Sequence, residues 1–256
     1  MAKVTIVMTY WNRKPQLINT LRSIEKYGHD VKIIIVDDAS TNGDDILCLQ
    51  NDNVRVITMK NKTWINPCIP FNTGFSQVDT EVVILQNAEC MHNGDVVGHV
   101  LNNIGKNIYL NYSALSISDS MTKEVSAGGD VADIVAPYMD KAFDANSWIG
   151  WYNHPKYRDK MYHFCSAIMR EDLYDLGGFD ERFADGLAYD DDEFIQRVIK
   201  KRMDVRIIRH PFVVHQFHEK FQPDGAEQLM GINRDRFKKA CTQNEYDVKK
   251  YNKIYL

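Results

Sequence analysis

Val31-Lys32-Ile33-Ile34-Ile35-Val36-Asp37-Asp38-Ala39-Ser40 is the stretch that decides how the chain folds. Ile33 to Val36 are four consecutive β-branched apolar residues, with Val31 one position ahead of them across Lys32. That pattern suits a strand covered on both faces, because successive side chains point to opposite sides of a sheet. Upstream, Val4-Thr5-Ile6-Val7-Met8-Thr9 is a second such run, ending in Tyr10-Trp11-Asn12. Between them Pro15 opens a helix pattern with Leu17, Leu21 and Ile24 on one face, and Gly28 stands where it can end. Strand, helix, strand predicts a βαβ unit with parallel strands. Ligands of such sheets bind beyond the carboxyl ends of the strands. Thr9, Tyr10, Trp11 and Asn12 should therefore line one pocket with Asp37 and Asp38. A carboxylate there can accept hydrogen bonds from a nucleoside, but an Asp-Asp-Ala-Ser run can equally be a turn with a cap. G-x-G-x-x-G and G-x-x-x-x-G-K-[ST] are both missing, which leaves a dinucleotide fold or a P-loop unsupported.

Further strands are predicted at 54–57, 81–86, 108–112, 162–168, 204–208 and 211–214, with a helix beginning near Phe71-Asn72-Thr73-Gly74-Phe75 and capped by Asn72 or Thr73. Residues 113–146 are polar with short apolar runs, and read as a mobile or variable insert that could hold a helix near 130–139. Gly177-Gly178 ends a short helix pattern and leads into Phe179-Asp180-Glu181-Arg182-Phe183. Tyr189-Asp190-Asp191-Asp192-Glu193-Phe194 follows at the start of a further helix pattern. Four adjacent carboxylates repel one another, while a helix N-terminus favours one or two of them. The bland reading is an over-acidic cap, and the sharper one places a general base in a sugar-binding cleft.

The 256 residues carry a net charge of −4, with 44% hydrophobic and 26% charged residues. Those values suit a globular α/β protein and argue against a dedicated nucleic-acid binder, which normally shows a basic face. Five scattered cysteines without C-x-x-C spacing point to reduced thiols, hence a cytoplasmic, soluble protein. No apolar run approaches the length of a transmembrane segment.

In order and spacing, these segments resemble the family 2 glycosyltransferases of the GT-A fold. The likeness rests on residues 4–12, on Ile34-Ile35-Val36-Asp37-Asp38-Ala39-Ser40, on Asn72-x-Gly74 and on the acidic run, and it covers roughly residues 3–220. It implies one Rossmann-like α/β domain with a mostly parallel central sheet flanked by helices. Residues 1–105 would form the nucleotide-sugar half and 106–230 the acceptor half, with 231–256 a Lys-rich helical tail. By the resemblance, Thr9, Tyr10, Trp11, Asn12, Asp37, Asp38, Asn72 and Asn87 contact a nucleotide-sugar donor, UDP by default. Relatives carry D-x-D after the fourth strand, where this chain has Asn87-Ala88-Glu89. Glu89 and His215 would then hold the divalent cation, Mn²⁺ or Mg²⁺, that neutralises the leaving diphosphate. His218 and Lys220 would meet that diphosphate.

Gly177–Phe194 also resembles the catalytic segment of the galactosyltransferase-type family 7. Aligned on the family 2 Glu-Asp pair, Asp191 becomes the general base of an inverting transfer to an acceptor hydroxyl of a glycan or other molecule. Asp190, Asp192 and Gly178 would contact the acceptor, and Glu193 would cap the helix. Trp148 and Trp151, in an aromatic cluster outside any strand or helix period, would form a stacking platform for it. Two alternatives stand beside this reading, a non-catalytic nucleotide- or sugar-binding module and a nucleotidyltransferase using Arg13 and Lys14. Oligomeric state is not specified by the sequence.

Overall fold

The computed structural model describes residues 2–43, 45–219, 222–243 and 248. Lys220, expected at a diphosphate, lies outside the described residues, as does most of the expected tail from 244 to 256. The opening βαβ unit forms as expected: β1 (Val4–Tyr10), α1 (Lys14–Glu25), β2 (Val31–Asp37). The chain continues through β3 (Val54–Thr58), α2 (Cys68–Phe75), β4 (Val82–Asn87), β5 (Cys90–Asn93), α3 (Val96–Asn103) and β6 (Ile108–Ser116). Two helices, α4 (Asp119–Ser126) and α5 (Val131–Val135), precede β7 (Gly150–Asn153) and β8 (Cys165–Met169). Then come α6 (Arg170–Leu176), α7 (Asp190–Lys200), β9 (Asp204–His215) and α8 (Ala226–Gln243).

One central sheet runs β3-β2-β1-β4-β8-β6-β9-β5, with β7 on the side of β6. The strands β3, β2, β1 and β4 are parallel, as the continuous apolar runs require. Beyond them the sheet is mixed, since β8 is antiparallel to β4 and β6, and β5 is antiparallel to β9. Alternate residues of β2 feed two cores. Ile33 and Ile35 pack with α1 and α3 on one side, and Ile34 and Val36 pack with α2, α6 and α7 on the other.

Four expectations need correction. Helix α2 starts at Cys68, before Phe71, so Asn72 and Thr73 lie inside it and cap nothing; the Thr73 hydroxyl donates to the Ile69 carbonyl. The strands expected on either side of His210 are one strand, β9, held by β6 along both parts. Residues 113–146 are not a loose insert, because Leu115, Met121 and Val135 pack with Trp151 and Phe212 in a third core. Helix α8 begins at Ala226 and runs across position 231, where the tail was expected to start. No helix among the described residues is long and apolar enough to cross a membrane.

Candidate active site

Parallel register sets the first part of the site. Thr9 pairs with Asn87 across β1 and β4, and Tyr10 pairs with Asp37 across β1 and β2. The carboxyl ends of three strands therefore open on one cavity of about 170 Å³, whose wall includes Thr9, Tyr10, Trp11, Arg13, Asp38, Lys62, Asn87 and Glu89. Asp38 is buried there and accepts hydrogen bonds from Lys62 Nζ (2.6 Å) and Trp64 Nε1 (2.7 Å). Burial pushes its carboxyl above the usual range, opposed by those two donors. Lys62 also lies 5.8 Å from the centroid of the Trp11 ring, so cation, aromatic face and carboxylate meet at one edge.

Neighbouring residues do structural work instead. Asp37 accepts the Ser40 backbone N–H (3.0 Å), which is the turn-and-cap reading. Asn12 accepts the N–H groups of Thr41 and Asn42 and so ties the two strand-end loops together. Asn72 cannot contact a donor. It is fully buried, gives its amide to the Phe179 carbonyl and Glu181, and accepts the Phe179 N–H. Gly74 allows α2 to approach β1, since a Cβ there would lie 2.4 Å from Val7 Cγ1. Lys14 donates to the Asp45 carbonyl, while Arg13 pairs with Glu89 and lines the cavity, so only one of the two basic residues expected of a nucleotidyltransferase faces it.

The second part of the site comes from antiparallel pairing. Strand β5 sets Cys90 opposite His215, and the Gln216 N–H donates to the Glu89 carbonyl (3.1 Å), so Glu89 faces the end of β9. His215 Nε2 stands 3.6 Å from Glu89 Oε1, and His218 Nε2 stands 3.5 Å from the same oxygen. These separations exceed a hydrogen bond. Ligands bonded at about 2.1 Å to a shared ion lie about 3.0–3.4 Å apart, so the three atoms fit a cation between them. His215 Nδ1 is buried without a hydrogen-bond partner among the described residues. Burial raises the Glu89 carboxyl, but Arg13 (2.8 Å), His215 and His218 outweigh it and hold the group well below the carboxylate range. Burial pushes His218 down to about 4, so at neutral pH its imidazole is unprotonated. One carboxylate with two imidazoles suits Mn²⁺ better than Mg²⁺. Glu89 and His215 thus meet, and His218 joins them as the third member of the cluster. Its spacing of three residues from His215 was the available signal.

The third part is the acidic run. Gly177 and Gly178 adopt φ of 84° and 70° and stop α6. Gly178 is buried in that turn, so it is not an acceptor contact. Helix α7 then starts at Asp190, with its first turn wholly acidic. Asp190 is buried and accepts from Asn66 Nδ2 (2.8 Å). Asp191 Oδ2 lies 3.5 Å from His163 Nδ1. Burial, and then the charges of Asp190 and Asp192, push the Asp191 carboxyl well above its usual range. Asp192 is half-buried and raised in the same way. Glu193 is not a cap: Arg197 grips it through two bonds of 2.7 Å in a fully buried pair. Asn233 of α8 donates to the carbonyls of Phe183 and Ala188, which pins the loop ahead of Asp190.

Trp151 is fully buried and donates its indole N–H to the Met139 carbonyl, so it is core and not a platform. Trp148 lies on a separate cavity of about 280 Å³ with Ser116, His215, Phe217 and His218. Between that cavity and Asp191 stand Tyr152 and Tyr162, with the Arg158 guanidinium 4.6 Å from the Tyr152 ring. The sequence reading missed His163, Asn66, Asn233 and Arg158, none of which carries a local motif.

The protein family described as Glycosyl transferase family 2 matches residues 5–173. That span includes Glu89 and His163 and ends before the acidic run. No curated protein matches. Among solved structures, S. aureus TarS 1-349 is similar at 13% identity and a TM-score of 0.57, covering 96% of this chain and 75% of that one. Its complex with UDP-GlcNAc gives 13% and 0.61, covering 97% and 69%. A further S. aureus TarS structure gives 13% and 0.58, covering 91% of this chain and 43% of its own length. At such identity the likeness shows a shared fold.

Proposed function

Because the chain belongs to glycosyl transferase family 2, we propose that it moves a sugar, of the hexose type, from a UDP-sugar to an acceptor hydroxyl with inversion. The similarity to TarS in complex with UDP-GlcNAc supports the donor class. In this reading residues 1–105 supply the nucleotide side, with Trp11 and Asp38 at the base, while 106–230 supply the acceptor side. Five free thiols, three of them buried, fit a reducing, cytoplasmic setting.

One observation carries the proposal. His163 and Phe164 are consecutive, and they touch the two halves of the chemistry: His163 lies against Asp191, while the Phe164 ring lies 5.3 Å from His215. The raised carboxyl and the Glu89–His215–His218 cluster thus each lie against the side chain of one of two consecutive residues. Glu89, His215 and His218 would hold a divalent cation, Mn²⁺ by donor set, which neutralises the charge developing on the diphosphate. Arg13 lines the donor cavity beside them and adds a fixed positive charge. Asp191 takes the proton of the acceptor hydroxyl as its oxygen attacks the anomeric carbon and the bond to the diphosphate breaks. A carboxyl of raised pKa is the stronger base for that step. Asp192 is open to acceptor hydroxyls, while Asp190 is held by Asn66.

The test is hydrolysis and transfer with a panel of UDP-sugars. Asp191→Asn should lower turnover by about 10²–10⁴-fold, the span of a general base, with UDP affinity unchanged. Unaltered turnover would remove Asp191 from the role, and no turnover of any nucleotide sugar by the unmutated chain would overturn the proposal.

A further inference from the structure

His163 is buried among aromatic rings, with Phe71 at 5.3 Å and Phe179 at 4.8 Å between centroids. Its Nδ1 is buried and makes no hydrogen bond among the described residues, an expensive state for a ring nitrogen. Two carboxylates lie near it, and Asp190 already accepts from Asn66. Asp191 Oδ2 lies 3.5 Å away, a few tenths of an ångström beyond hydrogen-bond length. Catalytic hydrogen bonds are often this long before substrate binds and shorten when it does.

We infer that His163 is a positioning residue for Asp191, its Nδ1–H donating to Oδ2 so that the other carboxylate oxygen is left for the acceptor hydroxyl. The inference rests on the proposed role of Asp191 and deepens it. The ring cannot turn away freely, because Phe71 and Phe179 pack on it from α2 and from the turn after α6. Burial lowers the pKa of His163, partly opposed by Asp190, which keeps the ring neutral and gives it one N–H to place. Around Asp191 the charged and titratable neighbours are Asp190 and Asp192 on α7, Tyr109 on β6, Tyr152 on β7, and Tyr162 with Arg158 on the intervening loop; Lys160 acts on Asp192. Asp190 and Asp192 disfavour the charged base, and the His163 N–H favours it. Its loss therefore raises the Asp191 pKa further and misaligns the carboxylate.

UDP-sugar hydrolysis, in which water replaces the acceptor, tests this without an identified acceptor. With His163→Phe, kcat should fall about tenfold, the weight of a hydrogen bond to a charged group, and the acidic limb of the kcat profile should move to higher pH. UDP affinity should not change. His163→Asn, whose amide can donate from nearly the same position, should restore much of both. An unshifted limb with an unchanged kcat in His163→Phe overturns the inference, as does His163→Asn behaving like His163→Phe. Nitrogen-15 imidazole spectra of the unmutated protein, with His163 assigned through the Asn variant, give a check that needs no folded Phe variant. The Nδ1–H form is expected, and the Nε2–H form overturns the proposal. Failure of the underlying readings looks different: the unmutated chain turning over no nucleotide sugar removes the glycosyltransferase reading, and Asp191→Asn hydrolysing donor normally removes Asp191 as the base.

Discussion

Asn72 and Trp151 show why single residues are the hardest scale to read. Asn72-x-Gly74 matches a motif, yet its amide is fully used in clasping Phe179, a contact between residues 107 apart in sequence. Trp151 sits in a cluster of aromatics, and only the register of β7 decides that it points inward while Tyr152 stays half-exposed. Thr9, Asp38, Glu89 and His215 were legible because strand ends fix them. His163 was not, because its partner lies on a helix that the sequence places 28 residues later. Buried histidines also give the molecule an acid weakness. His92 is fully enclosed against Gln86 Oε1 (2.9 Å), and burial pushes its pKa down to about 3. The unfolded chain, with an ordinary pKa near 6.5, then binds the proton more readily, so stability is complete above that pH and is lost as pH falls toward 3. From pH 6.5 to 4.5 this one group should remove about 2–3 kcal/mol. Urea unfolding across that range should show the loss, and His92→Gln should flatten it; an equally steep decline in the variant would reject His92 as the source.

At the scale of elements, α7 divides its acidic turn by function. Glu193, facing inward, is neutralised by Arg197 one turn later, and that guanidinium also donates to the Leu176 carbonyl (2.6 Å). The pair fastens α7 to the end of α6 and so fixes where Asp190 and Asp191 emerge. Removing one partner leaves a buried charge alone. Glu193→Ala should therefore cost about 3–5 kcal/mol in chemical denaturation, and a loss below about 1 kcal/mol would mean that water reaches Arg197. The helix itself was legible from its apolar spacing, but this pairing was hidden, since Glu193 and Arg197 also suit an exposed i, i+4 pair. Strand β9 illustrates the opposite error. Pro211 reads as a break, and yet the chain stays extended because β6 and β5 both pair with it.

For the whole molecule, the sheet order explains why chemistry gathers at one edge. Parallel β2, β1 and β4 open on the cavity lined by Thr9, Asp38 and Asn87, and β9, coming back between β6 and β5, delivers His215 beside Glu89. The first half of this plan is readable from apolar runs, since parallel strands must be covered on both faces. The second is not, because antiparallel insertion of β8 depends on pairings across about 80 residues to β4 and fewer than 60 to β6, which leave no periodic trace. A site built from both halves should couple its two ligands. UDP at about one hundred times its Kd should stabilise the fold by about 2.7 kcal/mol, which for a domain of this size raises Tm by about 5–10 °C. Mn²⁺ should add to that shift when UDP is present, because the cation would bridge Glu89, His215 and His218 to the diphosphate. Glu89→Gln removes the anionic ligand and should abolish the Mn²⁺ increment while UDP alone still stabilises. If the increment survives in Glu89→Gln, the cation sits elsewhere; if EDTA leaves the shift of the unmutated protein unchanged and Mn²⁺ adds nothing, Arg13 is the positive charge that serves the diphosphate.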